Sequence, residues 1–362
     1  MTIDRTSRES KAISLMRFPL AVLIVLLHTG VTCGNEDVAY YLCNYISAPI
    51  VVCAVPTFFF ISGYLFFMGR DFSRHQYTRK IKSKVKGLLM PYVLWNIIAY
   101  VFMVFSNYWI YHSIGDIMPW ELYKILWANG EPIYLTSLLG YKYVALVGPA
   151  LGVLWFMRDL MVMMVCTIFM YPIVKFLKWY LFPLLLIINV LGLGSPFPGF
   201  SLPAISFFYM GAFFRIQEIN VFSWLNRYDR YVLTLWPLLI VARILMKWHS
   251  MSEPIGFNFL YLTSSVAFVF VASYKWSVRE SVVQAKVNKW GESSFFIYTF
   301  TNIWIVWFIN KEPGYMLDTI PYCGHTLNYL FLFSVRVLES LLVYYLMKRW
   351  TPNLLSVLTG KR

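Results

Sequence analysis

The chain has 362 residues, 59% of them hydrophobic and 19% aromatic, and only 13% charged. A soluble domain carries about 25% charged residues, so this composition describes a membrane protein and excludes an ordinary soluble fold. The net charge of +14 argues for cation-rich loops on one membrane face rather than for nucleic-acid binding.

The first long apolar run is bracketed by Arg17 and His28, with no polar side chain between them. Eleven helical steps amount to three turns plus about 20° and a rise of about 16 Å. On a helix both residues therefore share one face, about half a bilayer apart. Ionisable groups at membrane depth are costly and usually face a polar interior. His28 titrates near neutrality and suits proton transfer; a histidine within a span also serves as a buried donor between helices. The basic start and apolar run resemble a signal peptide, but their length and the absence of a small-residue cleavage site favour an uncleaved first helix.

Continuous apolar runs, each long enough for a roughly 30 Å hydrocarbon core, predict ten spans: 12–32, 49–68, 88–110, 149–171, 177–193, 200–216, 231–248, 257–274, 292–310 and 326–347. Outer-membrane strands would alternate over about ten residues instead. The expected class is an all-α polytopic membrane protein forming a single domain over 1–362, with no separate soluble part and no internal repeat.

The second span carries Ser62-Gly63, small residues that let helices approach closely or open a gap for a flexible chain. Pro56 and Pro91 are expected to kink their helices and widen such a gap. The basic run follows with Arg79, Lys80, Lys82, Lys84 and Lys86, suited to lipid headgroups or to a ligand with several phosphates. The long connection 111–148 contains Trp120, Glu121, Lys124, Trp127 and Glu131; connections of this length are often functional.

The fourth span opens with Trp155, Phe156, Met157, Arg158 and Asp159. Adjacent helical residues point about 100° apart, so Arg158 and Asp159 are expected to find partners on other helices. An Asp close to His28 would orient its imidazole; a structural ion pair is the alternative. In the last span, Arg336 and Glu339 read as a mutually satisfied pair. The five cysteines show no metal-ligand spacing, although Cys33, Cys43 and Cys323 would lie near one face.

Assigned alternately to two sides, the loops collect 24 Lys and Arg on the side of the N-terminus and 4 on the other. That asymmetry predicts cytoplasmic termini, Arg17 towards the cytoplasm, and His28 with Arg158-Asp159 in the outer half.

Taken together, these residues resemble the acyltransferase-3 family of integral-membrane O-acyltransferases, which acylate bacterial surface glycans. The matching pieces, in order, are Arg17 and His28, the segment around Ser62-Gly63-Tyr64, and the basic run leading into Pro91 and Trp95. Leu154 to Asp159 and Ser294 to Tyr298 complete the set. One position departs: many relatives carry a histidine three residues after the late Tyr, where this chain has Thr301. The resemblance implies acyl transfer, most often acetyl, from cytosolic acyl-CoA to a cell-surface or lipid-linked saccharide, in the bacterial cytoplasmic membrane.

In that reading His28 is the general base or acyl carrier, Asp159 orients it, and Arg158 offsets charge on the thioester oxygen. Arg17, Ser62, Gly63, Arg79, Lys82 and Lys86 bind the donor, and Trp155 and Tyr298 the acceptor. Acyl-CoA is a co-substrate, with no permanently bound cofactor and no metal expected. The aromatic outer faces suit membrane lipid and a second copy of the chain equally. A transporter or flippase for an anionic solute or lipid-linked saccharide is the competing class, and release of free CoA thiol separates the two.

Overall fold

The structure is a computed structural model that describes residues 2–29, 37–68, 73–111, 120–129, 133–136, 138–140, 142–303, 316–321 and 323–360. Fourteen helices are named here: α1 Thr2–Leu27, α2 Ala54–Phe66, α3 Arg74–Lys84, α4 Met90–Tyr111, α5 Leu122–Leu126, α6 Trp155–Leu177, α7 Leu181–Leu191, α8 Leu202–Ile216, α9 Asp229–Trp248, α10 Phe257–Val278, α11 Val282–Trp290, α12 Ser294–Phe300, α13 Gly324–Trp350 and α14 Pro352–Leu358.

Seven helical stretches are long and apolar enough to cross a bilayer. The remaining expected spans coincide with shorter helices. After the turn Lys178–Tyr180, α7 has 11 residues and rises about 16 Å, well short of the hydrocarbon thickness. The 15 residues of α8 are also too few to cross upright, and residues 304–310 of the ninth expected span lie outside the described residues. The chain is thus a multi-pass helical membrane protein with seven candidate spans among the described residues.

Pro56 lies in the first turn of α2 and Pro91 in the first turn of α4. A missing N–H costs little in a first turn. Ahead of α4, the π-helical turn Val85–Leu89 joins it to α3 in one continuous helical run.

The helices gather around a tight crossing. A Cβ on Gly63 of α2 would lie 1.9 Å from the Phe208 carbonyl oxygen of α8, and one on Gly211 would lie 2.0 Å from the Phe60 carbonyl oxygen. The two glycines let the backbones touch, as small residues do between membrane helices. Phenylalanines fill the surroundings: Phe60 meets Phe270 with ring centroids 4.9 Å apart, and Phe222 meets Phe270 at 5.2 Å. Around this block α1 packs against α2, α10, α11, α12 and α13.

Within the 111–148 connection the chain makes α5 and then an antiparallel ribbon, β1 Ile133–Thr136 paired with β2 Lys142–Leu146 from Ile133–Leu146 to Thr136–Lys142. This ribbon is the one departure from an all-helical chain among the described residues. Aromatic and β-branched residues favour the extended strands, and Gly140, at φ +84°, supplies the left-handed turn between them. At the opposite end, α14 folds back on α4: the Trp95 indole donates to the Leu358 carbonyl at 2.9 Å.

Candidate active site

Arg17 and His28 are both accessible, whereas Ala21 and Ile24, one turn after the first and one turn before the second on the same face, are buried at 1% and 3%. The face thus opens at two ends and is closed between them. Neither polar side chain makes a hydrogen bond or ion pair among the described residues. Close to Arg17, the chain at Gly291 approaches α1 so nearly that an added Cβ would lie 3.2 Å from the Ser14 carbonyl oxygen and 4.0 Å from the Arg17 Cβ. At the other end α1 stops at His28, whose N–H donates to the carbonyls of Ile24 and Val25 at 3.2 and 3.1 Å. The Thr29 hydroxyl donates to the Val25 carbonyl at 2.8 Å and holds this last turn.

The carbonyl of His28, left open by the end of the helix, accepts a hydrogen bond from Arg336 Nη1 at 3.0 Å. Arg336 comes from α13, is 4% exposed, and its Nε is buried without a partner. It is therefore not the mutually satisfied partner of Glu339 that the spacing predicts. Glu339 and His28 both lie within its electrostatic reach.

The expectation that Arg158 and Asp159 do not pair with each other is overturned. Arg158 Nε and Nη2 both donate to Asp159 Oδ1, at 2.9 and 2.8 Å, while Nη1 donates to the carbonyls of Trp127 and Val147 at 2.6 and 3.0 Å. The other Asp159 oxygen accepts the Ser201 N–H at 3.2 Å. The helical angle separates Cβ directions, but an arginine in the first turn of α6 is long enough to fold back onto its neighbour. Both side chains are buried, at 2% and 0%, and the pair ties the 120–151 connection and the 192–201 loop to the start of α6. Neither residue bonds to His28 among the described residues. A narrow cleft opens beside them, lined also by Trp155, Val147, Phe197 and Ser201.

Trp155 is half-buried and meets Phe59 with ring centroids 6.3 Å apart. Phe156 packs against Phe59 at 4.5 Å and Tyr298 at 6.3 Å, so both expected acceptor residues belong to one aromatic cluster. The Tyr298 hydroxyl donates to the Val153 carbonyl. Thr301 is buried, donates to the Ile297 carbonyl at 2.8 Å and accepts from the Asn302 amide at 3.2 Å. Both hydroxyls are occupied within the protein. Ser62 is half-buried beside Gly63, whose Cβ position is filled by the Phe208 backbone; close helix approach accounts for this glycine.

In the basic run, Arg79, Lys82 and Lys86 are exposed and carry no ion-pair partner among the described residues. Lys80 differs, donating from Nζ to the carbonyls of Phe66 and Met68 at 2.5 and 3.2 Å and capping α2. His325 lies 2.8 Å from Asp318 through Nδ1. Among the described residues no three His, Cys, Asp or Glu side chains gather as metal ligands and no two cysteines are joined; Cys33 and Glu131 lie outside the described residues.

The structure thus brings Arg17 and His28 to one helix face and joins Arg158 to Asp159, without bonding the two pairs to each other. Arg336 is the residue that sequence reasoning missed. Its signal was an arginine inside the last span, obscured by a glutamate at helical spacing.

A family model described as an acyltransferase domain, Acyl_transf_3, matches residues 10–350. The chain belongs to this acyltransferase family. The match takes in α1 through α13 and with them Arg17, His28, Arg158, Asp159, Tyr298 and Arg336. No curated protein and no solved structure matches the chain. Membership makes this multi-pass protein a membrane acyltransferase, and in this chain the accessible, unbonded imidazole of His28 lies at the end of α1.

Proposed function

We propose that the protein moves an acyl group, most often acetyl, from cytosolic acyl-CoA to a hydroxyl of a cell-surface or lipid-linked saccharide in the bacterial cytoplasmic membrane. The observation that carries this reading is the pairing of Arg17 and His28 on one face of α1, both accessible and both without a protein partner. Orientation follows from the loop charges, which put both termini in the cytoplasm. Arg17 then meets the donor on that side with Arg79, Lys82 and Lys86, whose free cations suit the phosphates of CoA.

His28 faces the outer half, where an acceptor hydroxyl enters, and acts as general base on it. Trp155 offers that acceptor a ring edge beside Phe59, and Tyr298 fixes the floor of the cluster through its bond to Val153. The saturated bonding of Arg158 and Asp159 makes them the frame of the site in this reading. The thioester arm passes between the two openings by displacing the packing at Ala21 and Ile24.

Membranes containing the protein are incubated with acetyl-CoA labelled in the acetyl group, and label is followed into glycan and lipid fractions while free CoA thiol is measured. Label with the wild type that vanishes in His28→Ala supports acyl transfer at His28. Label in both moves the chemistry elsewhere. No label, no thiol and no acetyl-CoA binding would sink the acyl-transfer reading.

A further inference from the structure

Acyl transfer to a hydroxyl creates negative charge on the thioester oxygen, and that charge needs a donor held ready for it. The acceptor oxygen bonds to the thioester carbon as His28 takes its proton, and the carbonyl π pair moves onto oxygen. On collapse the C–S bond breaks, CoA leaves with that electron pair, and the imidazolium returns the proton to the thiolate. Two arginines in the membrane-embedded part have been placed in buried positions, and their bonding differs sharply.

Arg158 spends Nε, Nη1 and Nη2 on Asp159, Trp127 and Val147. Its charge is met by a carboxylate in direct contact, which leaves little field for a substrate oxygen. Arg336 spends only Nη1, on the His28 carbonyl at 3.0 Å. Its Nε is buried with no partner, a condition costly enough that buried donors rarely remain in it without a purpose. The bond it does make fixes the guanidinium to the backbone of the proposed general base. Arg17 shares the face of His28 but lies about 16 Å along the helix, too far to serve the same reacting carbon.

We propose that Arg336 is the oxyanion-binding residue of this acyltransferase, its free guanidinium N–H groups receiving the thioester oxygen beside His28. This assignment rests on the acyl-transfer reading above. It gives α13 a catalytic part: it carries the positive charge to the open end of α1, and the bond to the His28 carbonyl sets the spacing between charge and base.

The test measures steady-state acetyl transfer with purified full-length protein in detergent or vesicles, comparing wild type with Arg336→Lys, Arg336→Ala and Arg158→Gln. Arg336→Lys is expected to lower kcat about 10²–10³-fold, the usual loss when one oxyanion donor is removed, with KM for acetyl-CoA changed less than about threefold. Methylguanidinium added to Arg336→Ala is expected to restore part of the turnover, a rescue that a purely structural role would not give. Arg158→Gln is expected to lower the amount of folded protein, since it breaks the buried pair with Asp159. Wild-type transfer with Arg336→Lys and Arg336→Ala within threefold of it overturns the Arg336 role alone, as does loss explained wholly by unfolding and not rescued. Absence of transfer by the wild type overturns the acyl-transfer reading and this role together.

Discussion

Replacing Asp159 by Asn changes one charge and almost no volume at the most fully bonded polar contact described above. The carboxylate receives two hydrogen bonds from Arg158 and one from the Ser201 backbone. Each Arg158 bond keeps its charged donor but loses its charged acceptor, a loss of about 1 kcal/mol or more per bond. The guanidinium, 2% exposed, keeps only the Trp127 and Val147 carbonyls and no counter-charge. Removing one member of a buried pair costs about 3–5 kcal/mol in total, so the ratio of folded to unfolded protein should fall by about two to four orders of magnitude. The damage should appear first where the pair is attached. Trypsin or chymotrypsin should nick the 112–148 connection at enzyme levels that leave the wild type whole, and the thermal midpoint in detergent should fall. Replacing both residues by apolar side chains, Arg158→Met with Asp159→Leu, should be milder than either single change, because no charge is left stranded. The reasoning is refuted if Asp159→Asn keeps the wild-type midpoint and protease resistance yet loses turnover a hundredfold, since Asp159 would then act on the reaction rather than on the frame.

Arg17→Ala should weaken acetyl-CoA binding about tenfold or more while the rate at saturating donor stays near wild type; an unchanged donor affinity would remove Arg17 from the donor site. Joint replacement of Arg79, Lys82 and Lys86 by Gln, at about 1 kcal/mol per surface cation, should raise the donor KM about a hundredfold at low salt. The difference should shrink as ionic strength rises, and a salt-independent effect would contradict the electrostatic reading. Gly63→Ala places a methyl 1.9 Å from the Phe208 carbonyl oxygen and should cost about 1–3 kcal/mol or more, read as loss of folded protein on size-exclusion. Wild-type yield and midpoint would show that the two helices separate easily.

The readable parts of this protein were those that depend on a short stretch of chain. Arg17 and His28 share a face because one 26-residue helix keeps its period, and that period can be counted in advance. The basic run and its exposure follow from composition alone. What could not be read depends on contacts between distant segments. Arg158 turns back on Asp159 because carbonyls from the 120–151 connection occupy its remaining donors, and no local angle announces that. Arg336 meets a carbonyl 308 residues away in the chain as well as the charge of Glu339, and only the second could be read from helical spacing. The expected span 177–193 shrank to the 11 residues of α7 because Lys178–Tyr180 form a separate turn before it, and an apolar run does not say where within it the helix starts. Pro56 and Pro91 each fall in the first turn of a helical segment, a position their presence in apolar runs disguised.

The crossing of α2 and α8 has a consequence for anyone exchanging segments between members of this family. Gly63 and Gly211 each occupy the space that the other's backbone demands, so neither position can be varied while its counterpart stays fixed. Two larger residues would not compensate each other, because each would strike main chain rather than a side chain that can move aside. For the purposes of recombination the two helices are a single part, although 135 residues separate the end of α2 from the start of α8 in the chain. A chimera with a junction between them joins surfaces shaped in different backgrounds, whereas junctions outside both, before Ala54 or after Ile216, carry the matched pair across intact.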